Sequence, residues 1–183
     1  LLKLQIGGPP VNPYEMTEAF KPAAASAGEG VYRRSLYTNW RRTSPPPALL
    51  TFDAPRRAVC TAKRERTDSP LQALILLNGP QYVEAARVLG EKLHKDTNGD
   101  VAQMIESGFL LCLSRRPDNR ESEIVRRLYE EQLAHFRANE TAANEFLKIG
   151  HAAREAAIAP AEAAAATVLA QALLNHDECV VKR

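Results

Sequence analysis

The chain has 183 residues, the size of one ordinary domain, and 45% of them are apolar, enough for a core and too many for a disordered tail. A formal net charge of +2 gives the chain as a whole no pull toward nucleic acid or anionic membrane. No apolar run approaches the roughly 20 residues that span a bilayer, so no membrane span is expected.

Charge is unevenly distributed. Residues 31–66 carry eight Arg and one Lys against Asp53 and Glu65, a local net of +7. Such a cluster can build a basic face. The chain opens at Leu1-Leu2-Lys3 in what reads as a continuing segment. We therefore expect a fragment, and read nothing into the lack of a leader sequence.

In chain order, residues 7–30 read as irregular, because Gly7-Gly8-Pro9-Pro10 and Asn12-Pro13 break helix and strand alike. Residues 31–68 read as a long, ordered, arginine-rich connection, with room for a short strand or one helical turn. Pro45-Pro46-Pro47 favours an extended stretch there. From Ser69 the pattern turns helical. Asp68 or Ser69 can cap a helix with Pro70 at its first position, and Asn78-Gly79 stops it. Pro80 opens a second helix with Tyr82, Ala86, Leu89 and Leu93 on one face. Asp100 can cap a third, around Met104, Ile105, Gly108, Phe109 and Cys112. It is apolar nearly all round and is expected to be buried.

Pro117-Asp118-Asn119 is a turn and cap for a fourth helix, with Val125, Leu128, Tyr129, Gln132 and Phe136 facing inward. Glu123 and Arg127 are spaced to pair on its surface. A fifth helix spans about residues 142–149. A sixth begins near Pro160, and its run Ala161-Glu162-Ala163-Ala164-Ala165-Ala166 suits close packing at the centre of a bundle. The expected fold is all-α, a bundle of five or six helices over residues 69–183. Residues 1–68 form an irregular arm packed on it, the two together making one domain.

Several blocks carry a resemblance. They are the run from Tyr32 to Thr43, Thr51-Phe52-Asp53-Ala54-Pro55, Cys60-Thr61, the run from Arg64 to Leu74, Leu76-Leu77-Asn78, Val83-Glu84-Ala85-Ala86-Arg87, and Leu173-Leu174-Asn175-His176-Asp177-Glu178. Together they resemble the C-terminal domain of unknown function in large planctomycete proteins, where it commonly follows a cytochrome-c-like region. The resemblance runs from Gly7-Gly8-Pro9 to the end and implies that an N-terminal portion of the domain is missing. Asn39, Gly79 and Cys179 depart from the usual pattern. That family implies export, hence an extracytoplasmic location, and roles proposed for it include polysaccharide utilisation and electron transfer. It supplies no catalytic residues to carry over.

The candidate binding residues are Arg33, Arg34, Arg41, Arg42, Arg64 and Arg66, interleaved with Tyr32, Tyr37, Trp40 and Phe52, and Asp53 beside them. Arginine grips sulfate, phosphate or carboxylate through two parallel hydrogen bonds, and aromatic faces stack on sugars or guanidinium groups. The competing reading is structural: a long irregular segment has many backbone carbonyls to satisfy, and arginines can do so. Asp53 could act as a general base, but an Asp ahead of a proline turn more often bonds backbone. The histidines His94, His135, His151 and His176 show no metal-ligand spacing. His176-Asp177-Glu178 reads as a helix C-terminal cluster in preference to a metal site. Cys60, Cys112 and Cys179 form no CxxC, so zinc and covalent haem are not expected. Ser35, Ser44, Ser69 and Cys60 have no nucleophile-elbow context.

The function expected from these residues is a non-catalytic binding or interaction module of a larger exported protein, with no cofactor in this chain. Its partners would be other domains of the parent or an anionic polysaccharide, and nucleic acid is not expected. Two alternatives are a hydrolytic site using Asp53, completed by residues outside this chain, and electron-transfer support for a neighbouring haem domain.

Overall fold

Proline and aspartate set most of the helix starts. In the computed structural model, which describes residues 2–12, 16–18, 21–23, 26, 28–41, 45–65 and 67–180, helices begin at Pro47, Pro70, Pro80 and Pro160. There the missing amide hydrogen costs nothing, since the first turn has no acceptor for it. The chain divides into two units, Leu1–Gln72 and Ala73–Arg183.

The first unit is held largely by backbone pairing between distant irregular segments. Lys3 bridges to Arg33 and Val11 to Thr38, both parallel. A short antiparallel pair, β1 (Met16–Glu18) and β2 (Lys21–Ala23), aligns Thr17 with Pro22. It falls in the stretch read from sequence as irregular; three-residue strands are too short to show an alternation. Two 3₁₀ turns follow, at Glu29–Tyr32 and Ser35–Tyr37. Helix α1 (Pro47–Thr51) then starts on the third proline of the triplet expected to stay extended. Helix α2 (Pro70–Asn78) begins where Ser69 and Gln72 cap one another: Ser69 N donates to Gln72 Oε1 at 3.1 Å, and Gln72 N to Ser69 Oγ at 3.4 Å.

The second unit is the expected all-α bundle. It contains α3 (Pro80–Asp96), α4 (Val101–Leu113), α5 (Asn119–Ala138), α6 (Glu140–Phe146), α7 (Pro160–Leu174) and α8 (Asp177–Val180). Asp100 caps α4 by accepting from Ala102 N at 2.9 Å, and Asp118 forms a complete capping box with Glu121 on α5. The alanine-rich α7 is the central element, packed against α3, α4, α5, α6 and α8. Ala163, Ala164, Ala165, Ala166, Leu169 and Ala170 are fully buried on it. One core joins Leu93, Met104, Ile105, Phe109, Val125 and Tyr129 to Leu169 and Leu173 of α7. A second joins Phe136, Ala143, Leu147 and Ile158 to the start of α7.

Two details correct the sequence reading. Helix α4 is not buried all round: Met104, Ile105, Gly108 and Phe109 face inward, while Leu110 is 46% and Leu111 59% exposed. On α5, Arg127 pairs with Glu131 at 3.8 Å and not with Glu123. Among the described residues no helix is long and apolar enough to cross a membrane.

Candidate binding site

The arginine-rich stretch lies in the first unit. Its best-placed arginine, Arg33, follows the first 3₁₀ turn. Its guanidinium donates to the carbonyls of Gly7 and Pro9, and its Nε to Gly30 O at 3.3 Å. The same group lies 4.5 Å over the Tyr37 ring, and Tyr37 Oη accepts from Gly7 N at 2.9 Å. One arginine and one tyrosine thus tie the 7–9 segment to the 30–37 segment.

Arg64 does the same for the turn after α1. Its Nε donates to Asp53 O at 2.9 Å and its terminal nitrogen to Phe52 O. Asp53 sits at φ 57, a left-handed position that a short polar side chain tolerates. Its Oδ2 accepts from Thr67 N at 2.7 Å and Thr67 Oγ1 at 2.8 Å. Buried Gln72 completes the knot, donating to Thr51 O at 2.7 Å and Thr67 Oγ1 at 3.0 Å. Thr67's amide and hydroxyl, and then the nearby Arg64 charge, hold the Asp53 carboxyl below its ordinary value. A carboxylate so stabilised is a poor proton acceptor near neutrality, so the geometry suits an anchor better than a general base.

Trp40 faces a cation that the sequence did not single out. The Arg57 guanidinium lies 5.0 Å from its ring centroid, and Trp40 Nε1 donates to Arg56 O at 3.3 Å. Arg57 sits at φ 57 in an exposed turn, so nothing in sequence spacing points it at Trp40. Arg34 is exposed; its carbonyl accepts from Tyr37 N at 2.9 Å, and its guanidinium has no hydrogen-bond or ion-pair partner among the described residues. Arg41 is half-buried and engaged. Arg42 and Arg66 lie outside the described residues. An open cleft of about 340 Å³ in this unit is lined by Leu2, Lys3, Glu29 and Tyr32; of the expected arginine and aromatic residues that are described, Tyr32 alone lines it.

The common feature is charge accounting. Arg33 and Arg64 spend their hydrogen bonds on neutral carbonyls; Arg33 has no ion pair among the described residues, while the Arg64 charge is partly offset by the nearby Asp53 carboxylate. The first unit holds eleven Lys and Arg against six Asp and Glu; the second holds thirteen against sixteen.

The second unit has two polar clusters; sequence reasoning missed the first and saw the second only at His176-Asp177-Glu178. Glu84, Arg87 and Glu91 are buried on α3, although Val83, Ala86, Gly90 and Leu93 make that helix otherwise apolar inside. Charges at intervals of three and four among inward-facing positions were the available signal. The other cluster joins the ends of three helices. Arg115 grips Glu121 with two hydrogen bonds, 2.8 and 2.6 Å, and donates to Glu178 at 2.7 Å. The Arg115 bonds, followed by the Asp118 amide, hold the Glu121 carboxyl down at about 2. Among the described residues no group of three or more His, Cys, Asp or Glu is placed to hold a metal.

Because the folded Glu121 titrates below its ordinary value, its contribution is complete above about 4.5 and is lost as the pH falls toward about 2. Urea unfolding across that range is expected to show this loss in the native chain. Glu121→Gln should be weaker already at pH 7 and change less on acidification. Equal acid sensitivity in both proteins would contradict the clamp.

Neither the curated proteins nor the solved structures contain a match to this chain. Residues 1–129 match the family described as PSD1, Protein of unknown function (DUF1553). The match takes in the carbonyl-tied arginines, the Asp53–Thr67 knot and the buried charges of α3. It covers more than half of the sequence, and the chain belongs to that family of proteins of unknown function.

Proposed function

We propose that the first unit is a non-catalytic binding module for a polyanion, foremost an anionic polysaccharide, within a larger exported protein. The observation that carries this reading is a surplus of positive charge with a fixed cation in it: backbone carbonyls hold Arg33 in place over Tyr37, without an ion pair among the described residues, in a unit of eleven Lys and Arg against six Asp and Glu. Fixed cations beside aromatic rings favour sulfate or carboxylate groups on a ring-bearing polymer, because little side-chain entropy remains to be lost. The resemblance to exported planctomycete proteins supports the location. The lowered basicity of Asp53 weighs against the hydrolytic alternative.

Retention of the whole chain on immobilised sulfated glycan, measured against rising salt, tests the proposal. We expect binding at low ionic strength that weakens as salt screens it. Trp40→Ala and Arg57→Ala should each weaken binding about two- to fivefold, from the ~0.5–1 kcal/mol of an exposed cation–π contact, with circular dichroism unchanged. Absence of glycan binding, or unchanged binding by both variants and by Arg34→Ala, would defeat it. Binding to a neighbouring domain of the parent in place of glycan would assign the surface to a protein partner.

A further inference from the structure

Contacts at the end of the second unit dock two segments on one another, and each carries a free thiol. His176, just ahead of α8, sets its ring edge-on to Phe109 of α4, centroids 6.3 Å apart. Glu178, in the first turn of α8, accepts from Arg115 just past the end of α4 at 2.7 Å. Glu121 holds the same guanidinium from α5, so Arg115 cannot swing away without leaving two carboxylates.

Cys112 lies between the α4 contact points, one turn past Phe109 and one turn ahead of Arg115. Cys179 follows Glu178 and lies one turn past His176. Both are free and half-buried, and α8 packs on α4. Burial raises both thiols. The Cys112 thiol is pushed up to about 11, by burial first and then by the Cys179 charge; for Cys179 the cause is burial. The third cysteine, Cys60, is exposed in the other unit.

We propose that Cys112 and Cys179 are a redox pair that closes to an intramolecular disulfide and staples α8 to the end of α4. The oxidant is a low-molecular-weight disulfide such as oxidised glutathione. The Cys179 thiolate attacks one glutathione sulfur, forming a mixed disulfide and releasing one glutathione thiolate. The Cys112 thiolate then attacks Cys179 Sγ, forming the protein disulfide and releasing the second. The two protons leave with the two glutathione thiols, so two protein thiols are oxidised as one glutathione disulfide is reduced. Closure requires the two Cα atoms to stand about 4.4–6.8 Å apart. The staple makes docking of α8 depend on redox state.

The test uses the full chain carrying Cys60→Ser, which removes the exposed thiol. After incubation with oxidised glutathione, both remaining thiols should be lost and the mass should fall by two hydrogens. Peptide mapping without reductant should show Cys112 linked to Cys179. Arg115→Gln, which releases α8, should slow closure several-fold. Two thiols still free, glutathione adducts that persist on either cysteine, or chains linked to one another would each overturn the proposal.

Discussion

Arg87→Ala should cost about 3–5 kcal/mol, the range for removing one partner of a buried ion pair. Arg87 is 2% exposed and bonds Glu91 at 3.1 Å. It also donates to Ala152 O at 2.7 Å and Ala153 O at 3.5 Å. One turn earlier, Glu84 Oε1 accepts from the amides of His151 and Ala152. Acceptors and donors of one loop are thus met by opposite charges on α3. Truncating Arg87 strands the Glu91 carboxylate in the interior and leaves two carbonyls without donors. Domains are stable by only about 5–15 kcal/mol, so the change is a large share of the total. Urea denaturation measures it directly. Arg87→Met combined with Glu91→Leu should recover part of the loss, because it removes the stranded charge but not the need of the carbonyls. A loss below about 1 kcal/mol for Arg87→Ala would show that the ladder is not structural.

Gly90→Ala and Gly108→Ala should diverge, although both add one methyl to a buried helix. A Cβ at Gly90 would lie 2.5 Å from Ala166 O and 2.8 Å from Thr167 N, both backbone atoms of α7. Helices α3 and α7 would have to separate, at a cost of about 1–3 kcal/mol or more, against at most about 1 kcal/mol gained in helix propensity. A Cβ at Gly108 would meet Leu173 Cδ1 at 2.5 Å, the end of a side chain that can turn aside. There the propensity gain should offset most of the strain. Paired denaturation midpoints check this: Gly90→Ala falls well below the native chain and Gly108→Ala stays near it. The reverse order would mean that α3 and α7 are not locked by backbone contact.

The comparison of sequence with structure turns on how far apart the interacting groups lie. Pro70, Pro80 and Pro160 at helix starts, and Asp100 and Asp118 at caps, act within four residues of themselves, so the helix boundaries were legible. The inner face of α5 showed in the spacing of Val125, Tyr129 and Phe136. The run Ala161–Ala166 marked α7 as central, because only small side chains let other helices approach on every side.

What the tertiary structure decided is non-local. Arg33 finds its carbonyls at Gly7 and Pro9, and Arg64 finds its own at Phe52 and Asp53. No spacing rule reaches across those loops, so sequence left ligand binding and scaffolding open for the same residues. Helix α4 appeared apolar on all sides, but burial depends on where neighbours lie, and none covers Leu111. Glu84 and Arg87 bond the 151–153 loop from α3, with Glu91 paired to Arg87, and no local pattern points them at a loop some 65 residues away. Helices α2 to α7 and their order were legible in the chain, since these rest on short-range hydrogen bonding and periodicity, whereas the short α1 and α8 were not. Which charges are buried and which carbonyls the arginines bind had to come from tertiary packing, because those follow from contacts between residues far apart in the chain.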